Sequence, residues 1–192
     1  MVLVNYADKK VNCKIIYYGT GESGKTTNIE YIYNRLNPSI RSDITNLKGF
    51  NERTLFFDFL SIDLGEIRGF STNFSLYSTP GQAEYNAARK LLLNGVDGII
   101  FVIDSDKQRK KDNLESLKNL EDNLKSFSLS METLPIVMQY NKRDSDNAME
   151  LDELERIFNP YGFPSYEAVA KEGSGVFACL KSVSSMILSS LQ

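Results

Sequence analysis

The chain contains no histidine, and that absence removes every mechanism needing an imidazole as base or metal ligand, including Ser-His and Cys-His nucleophilic catalysis. Cysteine is scarce. Cys13 and Cys179 stand far apart among apolar residues, with no second thiol at a metal or redox spacing. Two buried thiols in a reduced, cytosolic chain are the expectation. Long apolar runs are missing too: the longest, Ile99–Ile103, falls far short of the roughly 18–20 residues that span a bilayer. Met1–Val4 is too short for the core of a signal peptide, and neither end carries a lipidation motif. Direct membrane insertion is not expected, and any membrane association would come through a partner. Neither sign of charge dominates, with 22 basic and 25 acidic residues and a net charge of −3. That balance leaves no electrostatic footprint for a nucleic-acid backbone.

What the chain does have is a core. Its 192 residues are 42% hydrophobic and 11% aromatic, enough for one domain spanning 1–192 without a staple. Val11–Tyr18 reads as a buried strand that breaks into a glycine loop. Ile29, Ile32, Tyr33 and Leu36 then keep helical spacing until Pro38. Thr54–Leu60 and Thr72–Tyr77 read as a hairpin whose connection contains Gly65 and Gly69, and Tyr85–Leu93 as a short helix. Gly98–Asp104 and Pro135–Tyr140 are apolar strands, with Leu114, Leu117, Leu120 and Leu124 sharing a helix face between them. Leu151–Phe158 reads as a helix, Tyr166–Ala170 as a last strand, and Val176–Leu191 as a closing amphipathic helix. Strands alternating with helices imply an α/β fold. The expectation is a six-stranded, mostly parallel sheet with one antiparallel hairpin pair and about five flanking helices.

The strongest chemical signal is Gly19-x-x-x-x-Gly24-Lys25-Thr26, placed after a strand and opening a helix. Glycines there let successive backbone N–H groups, from Gly21, Glu22 and Ser23 through Thr27, face a polyphosphate at a helix N-terminus. Lys25 would reach the β and γ phosphates and the Thr26 hydroxyl would hold Mg²⁺. A side chain at Gly21 would crowd the γ-phosphate, so Val is not expected to be tolerated. The base is read elsewhere. Asn141-Lys142-Arg143-Asp144 follows a strand at the carboxyl edge of the sheet. One carboxylate there can accept guanine's N1–H and amine together, which assigns specificity to Asp144, bracing to Asn141 and contact along the base to the Lys142 stem.

With Val169-Ala170-Lys171 before the last helix, these motifs resemble the Ras-type small GTPases over nearly the whole chain. Residues 52–60 and Leu76-Tyr77-Ser78-Thr79-Pro80-Gly81-Gln82 resemble more narrowly the bacterial MglA family of polarity and gliding-motility GTPases. The resemblance implies a Ras-like G domain and a Mg²⁺-dependent GTP/GDP switch with slow intrinsic hydrolysis. It puts the Ala170 N–H on the guanine carbonyl, Thr54 on Mg²⁺, the Gly81 N–H on the γ-phosphate, Gln82 on the attacking water and Arg53 as an arginine finger in cis. It further implies a free monomer, an MglB-like roadblock-domain activating protein, polarity or motility effectors, and a bacterial cytoplasm with recruitment to a cell pole.

One position departs from the wider family, where Asp-x-x-Gly-Gln is usual: Ser78 takes the Asp place, so the carboxylate behind Mg²⁺ is missing there, as MglA-like chains also lack it. Asp58, sharing a strand face with Thr54, is either a stand-in or a solvated strand charge. Lys107-Gln108-Arg109-Lys110-Lys111 reads as a solvated helix opening or a partner contact. Three other functions stay open: a GTP-holding scaffold that barely hydrolyses, an ATP-using kinase or ATPase, and an interaction module with a vestigial loop.

Overall fold

The computed structural model describes residues 3–5, 8–47 and 57–190. Its centre is β2 (Lys10–Tyr18), whose side chains alternate between two apolar layers as a strand covered on both faces requires. Val11, Cys13, Ile15 and Tyr17 meet α1 (Lys25–Arg35) and α5 (Val176–Ser189) through Ile29, Ile32, Cys179, Val183 and Ile187. Ile16 and Tyr18 face the other layer, built by α2 (Asn86–Leu93), α3 (Lys110–Lys125) and α4 (Leu151–Phe158). Parallel to β2 run β5 (Phe70–Ser78) on one side and β6 (Gly98–Asp104), β7 (Ile136–Asn141) and β8 (Ser165–Glu167) on the other. β4 (Phe57–Ile67) pairs antiparallel with β5. This is the expected six-stranded sheet with one antiparallel pair and five helices, lengthened by two three-residue strands, β1 (Leu3–Asn5) on β2 and β3 (Thr45–Leu47) on β4.

Differences from the sequence reading are local. The hairpin turns at Arg68-Gly69, both with positive φ (53° and 84°), the signature of a two-residue turn that matches strand twist. Gly65 is not in the connection; it lies within β4 where the pairing register slips between Asp63 and Glu66. The 54–56 part of the expected strand lies outside the described residues. The last strand stops at Glu167, and the chain then folds back so that Val169 bridges Ser174. Leu114 is 40% exposed, leaving Leu117, Leu120 and Leu124 as the buried stripe of α3.

Both thiols are buried as expected, and loss of hydration pushes Cys13 and Cys179 up to about 12, with Asp97 adding to the effect at Cys13. Only the thiolate is nucleophilic. Iodoacetamide at pH 8, followed by intact-mass analysis, is therefore expected to leave the folded protein unmodified and to add two labels after unfolding in denaturant.

Candidate functional site

β2 runs into the glycine loop and α1 starts at Lys25, so the first turn of that helix opens at the carboxyl edge of the sheet. Gly24 is left-handed at φ 101°, and a Cβ there would sit 2.2 Å from Asn141 Nδ2, so space and backbone both demand glycine. No side chain caps the helix, and its first N–H groups are free for an anion. Lys25 is buried and donates to the Thr20 carbonyl at 2.5 Å. Burial, followed by the nearby Arg89 and Arg109, pulls its ammonium down to about 7, against an opposing pull from Asp58. Gly21 is less constrained than the sequence suggests on the protein side. A Cβ there would make ordinary contact, 3.8 Å, with the Gly81 carbonyl carbon. Gly81 is the tight one, its Cβ position lying 2.3 Å from Gly21 Cα. A cavity of about 590 Å³ opens over this loop, walled by Gly21, Glu22, Lys25, Thr26 and Thr27 on one side and by Asp58 and 78–82 on the other.

On that wall Asp58 is not a solvated strand charge. Its Oδ2 accepts from Thr26 Oγ1 at 2.5 Å and from Ser78 Oγ at 2.6 Å, while Ser78 Oγ accepts from the Asp58 N–H at 3.0 Å. The antiparallel register that sets Phe59 opposite Tyr77 brings Asp58 beside Ser78 at the end of β5. One carboxylate and two hydroxyls form an oxygen-only donor set, which suits a hard dication such as Mg²⁺. Arg53 and Thr54 lie outside the described residues.

The residues expected to read a base gather behind Gly24. Asn141 donates from Nδ2 to the Ser23 carbonyl at 2.7 Å and accepts the Ala170 N–H on Oδ1 at 2.9 Å, tying the phosphate loop to the Val169–Lys171 segment. Asp144 and Lys171 form an ion pair, whose hydrogen bond holds the Asp144 carboxyl below the usual carboxylate range. Lys142 Nζ lies 2.7 Å from the buried Asp104 at the end of β6, which fixes the stem along this edge. Val169 takes part through its backbone, donating to the Ser174 carbonyl at 3.1 Å.

Several contributors escaped the sequence reading. Asn28 and Gln139 form a reciprocal amide pair at 2.8 and 2.9 Å, and Asn28 also holds the Gly24 carbonyl. A polar residue beside Ile29 on the buried helix face is a usable signal for it. Arg89, 5% exposed, donates to the Pro80 and Gln82 carbonyls, and nothing in its sequence surroundings marks it. Arg109 donates to the Gly21 carbonyl at 2.7 Å, so the 107–111 run is not simply a solvated helix opening.

Residues 1–179 match the ADP-ribosylation factor family. Over 192 residues, 100% of this chain and 98% of the relative, the sequence is 48% identical to the mutual gliding-motility protein MglA of Myxococcus xanthus. It is also 25% identical over 165 residues, 86% of this chain and 92% of the relative, to an uncharacterized protein of Methanocaldococcus jannaschii.

Proposed function

The chain belongs to the ADP-ribosylation factor family of Ras-like small GTPases, alongside MglA, and on that premise we propose that it is one G domain over 1–192, a Mg²⁺-dependent GTP/GDP switch of bacterial gliding motility or polarity. One observation carries the nucleotide reading: Asn141 ties the phosphate loop through Ser23 to the guanine-side segment through Ala170. A nucleotide laid across Gly24 would touch both ends of that brace. The Lys25 ammonium and the first-turn N–H groups of α1 bind the β and γ phosphates. Asp144 accepts from guanine, with the Lys142 stem along the base and the Ala170 N–H on the carbonyl. Thr26 and Thr54 would hold Mg²⁺, which would supply positive charge against the phosphates. Gly81 donates its N–H to the γ-phosphate and Gln82 orients the water that attacks in line. GTP and water become GDP and phosphate, and Arg53 offsets the charge that develops.

Intrinsic turnover is slow and is stimulated by an activating protein. By kinship with MglA, that partner is an MglB-like roadblock-domain protein, the triphosphate form engages polarity or motility effectors, and the protein works as a monomer in the cytoplasm with recruitment to a cell pole. Among the described residues no helix is long and apolar enough to cross a membrane.

Calorimetric titration with GTP, GDP and ATP tests the base assignment. Wild type is expected to bind both guanine nucleotides and to discriminate against ATP. In Asp144→Ala, the affinity for GTP and GDP drops about tenfold as charge-assisted hydrogen bonds are lost, with weak ATP binding unchanged. ATP bound as tightly as GTP by wild type would return the kinase or ATPase reading.

A further inference from the structure

The peptide planes that carry the expected phosphate donors are gripped from behind. Arg109 Nη2 donates to the Gly21 carbonyl at 2.7 Å, and Arg89 Nη1 donates to the carbonyls of Pro80 at 3.1 Å and Gln82 at 2.5 Å. In a trans peptide the carbonyl and the N–H of the following residue point in opposite directions, and no peptide bond among the described residues is cis. A guanidinium holding the Gly21 carbonyl therefore turns the Glu22 N–H the other way, and one holding the Pro80 carbonyl does the same to the Gly81 N–H. Glu22 and Gly81 line the cavity over the glycine loop, and neither arginine does. Arg89 and Arg109 line a second cavity, of about 390 Å³, which shares Gly21, Gly81 and Gln82 with the first as a common wall.

Both guanidinium groups are themselves anchored on their far sides. Arg89 Nε donates at 2.9 Å to Asn119 Oδ1, which also accepts from the buried Tyr18 hydroxyl at 2.6 Å, so the grip reaches back through α3 to β2. Arg109 lies 2.6 Å from Asp112 and 3.9 Å from Asp104, the residue that also holds Lys142. In the glycine loop and in 78–82 the arginines grip backbone: the Gly21 carbonyl for Arg109, and the Pro80 and Gln82 carbonyls for Arg89.

We propose that Arg89 and Arg109 are positioning residues that aim the Gly81 and Glu22 N–H groups at the bound polyphosphate from behind the loop, and that Arg89 thereby sets discrimination for a γ-phosphate. The proposal rests on the GTPase reading above. The two arginines divide the work according to the donor each turns. The Gly81 N–H serves only a triphosphate, whereas Glu22 belongs to the glycine loop that wraps the phosphates of GDP and GTP alike. A general loss of packing would weaken both nucleotides together, so the ratio of the two affinities is the informative quantity.

The test compares wild type, Arg89→Lys and Arg109→Ala for dissociation constants of GDP and of the non-hydrolysable guanosine 5′-(β,γ-imido)triphosphate, both with Mg²⁺, together with ³¹P NMR of the analogue complex. Arg89→Lys keeps a charge but loses the forked donor geometry. It is expected to weaken the analogue about tenfold with GDP changed less than about twofold, and to move the γ resonance while the α resonance stays. Arg109, with 30% of its side chain exposed, tolerates truncation, and Arg109→Ala is expected to weaken both ligands by a similar factor of about five. Should Arg89→Lys not fold, Asn119→Ala frees the same guanidinium from α3 and is expected to lower the analogue-to-GDP preference about threefold. Equal weakening of both ligands by the Arg89 or Asn119 variant, or no change in either, overturns the proposal. Wild type that binds neither nucleotide overturns the GTPase reading on which it stands.

Discussion

Single-turnover hydrolysis of pre-bound GTP, with Mg²⁺ and a saturating roadblock-domain activating protein, is expected to fall about 10³-fold in Arg53→Ala, the lower end of what a correctly placed arginine contributes to phosphoryl transfer. Gln82→Leu is expected to lose on the order of 10²-fold, the scale of one positioned group acting on the nucleophile. GTP affinity is expected to stay within about threefold in both variants, because neither residue binds the ground-state phosphates in this reading. The geometry at Gln82 supports the separation. Its side chain is exposed on the cavity wall while its carbonyl is held by Arg89 at 2.5 Å, so the backbone is fixed and the amide is left to orient water. Leucine keeps the bulk and removes both the donor and the acceptor. Stimulation by the partner that both substitutions abolish assigns the catalytic arginine to this chain and not to its activator. Tight GTP binding with no hydrolysis, partner present or absent, would instead make this chain the nucleotide-holding scaffold.

The parts of this molecule that could be read from sequence are those whose partners are near in the chain or whose pattern is periodic. The glycine loop is local: spacing from Gly19 to Thr26, a buried strand before it and a helix after it are visible together. The same holds for β6 and α4, whose bounds match their apolar patterns to the residue. The hairpin is legible as a hairpin with its turn inside the expected connection, but the length of that connection is not, because Gly65 and Gly69 look alike until the register shows that Gly65 sits in a bulge of β4. β1 and β3 were not legible, since three residues carry no period and each exists through the strand it pairs with. Leu114 keeps helical spacing but is 40% exposed, because the buried position at this turn of α3 is taken by Asn113, which bonds the backbone N–H and carbonyl of Asp104 at the end of β6. Arg89 leaves no trace and Arg109 stands out only as one charge of the 107–111 run, because what they hold at the site is backbone carbonyls, which every residue has. Asp58 was visible as a charge on a strand, yet its role depends on which residue of β5 stands beside it, a matter of antiparallel register across 20 positions of chain.

Asp58 is also where loss of a single charge tests the metal site. Removing the charge by Asp58→Asn is expected to weaken Mg²⁺ binding to the GDP-bound protein by about 10–100-fold, the range found when a group behind a metal's direct ligands is lost. The observation behind this is that one carboxylate oxygen accepts from both Thr26 and Ser78. Ser78, standing where related GTPases carry a carboxylate, brings a hydroxyl without charge, so a dication held at Thr26 draws its nearest compensating charge from Asp58. Asparagine keeps the shape and one acceptor, which separates charge from packing. The readout is the rate of fluorescent GDP release as Mg²⁺ is titrated against a chelator. The variant is expected to need correspondingly more Mg²⁺ to retain nucleotide, with the release rate in excess chelator unchanged, since without metal both proteins hold GDP by the glycine loop alone. Ser78→Asp introduced into Asp58→Asn returns a carboxylate to the end of β5 and is expected to recover most of the lost Mg²⁺ affinity. An Asp58→Asn protein with wild-type Mg²⁺ dependence would reduce the Thr26–Asp58–Ser78 cluster to a tie between strand and helix. A failure of rescue alongside a large initial loss would mean that the cation needs the carboxylate on β4 in particular, the strand that follows directly from the segment holding Arg53 and Thr54.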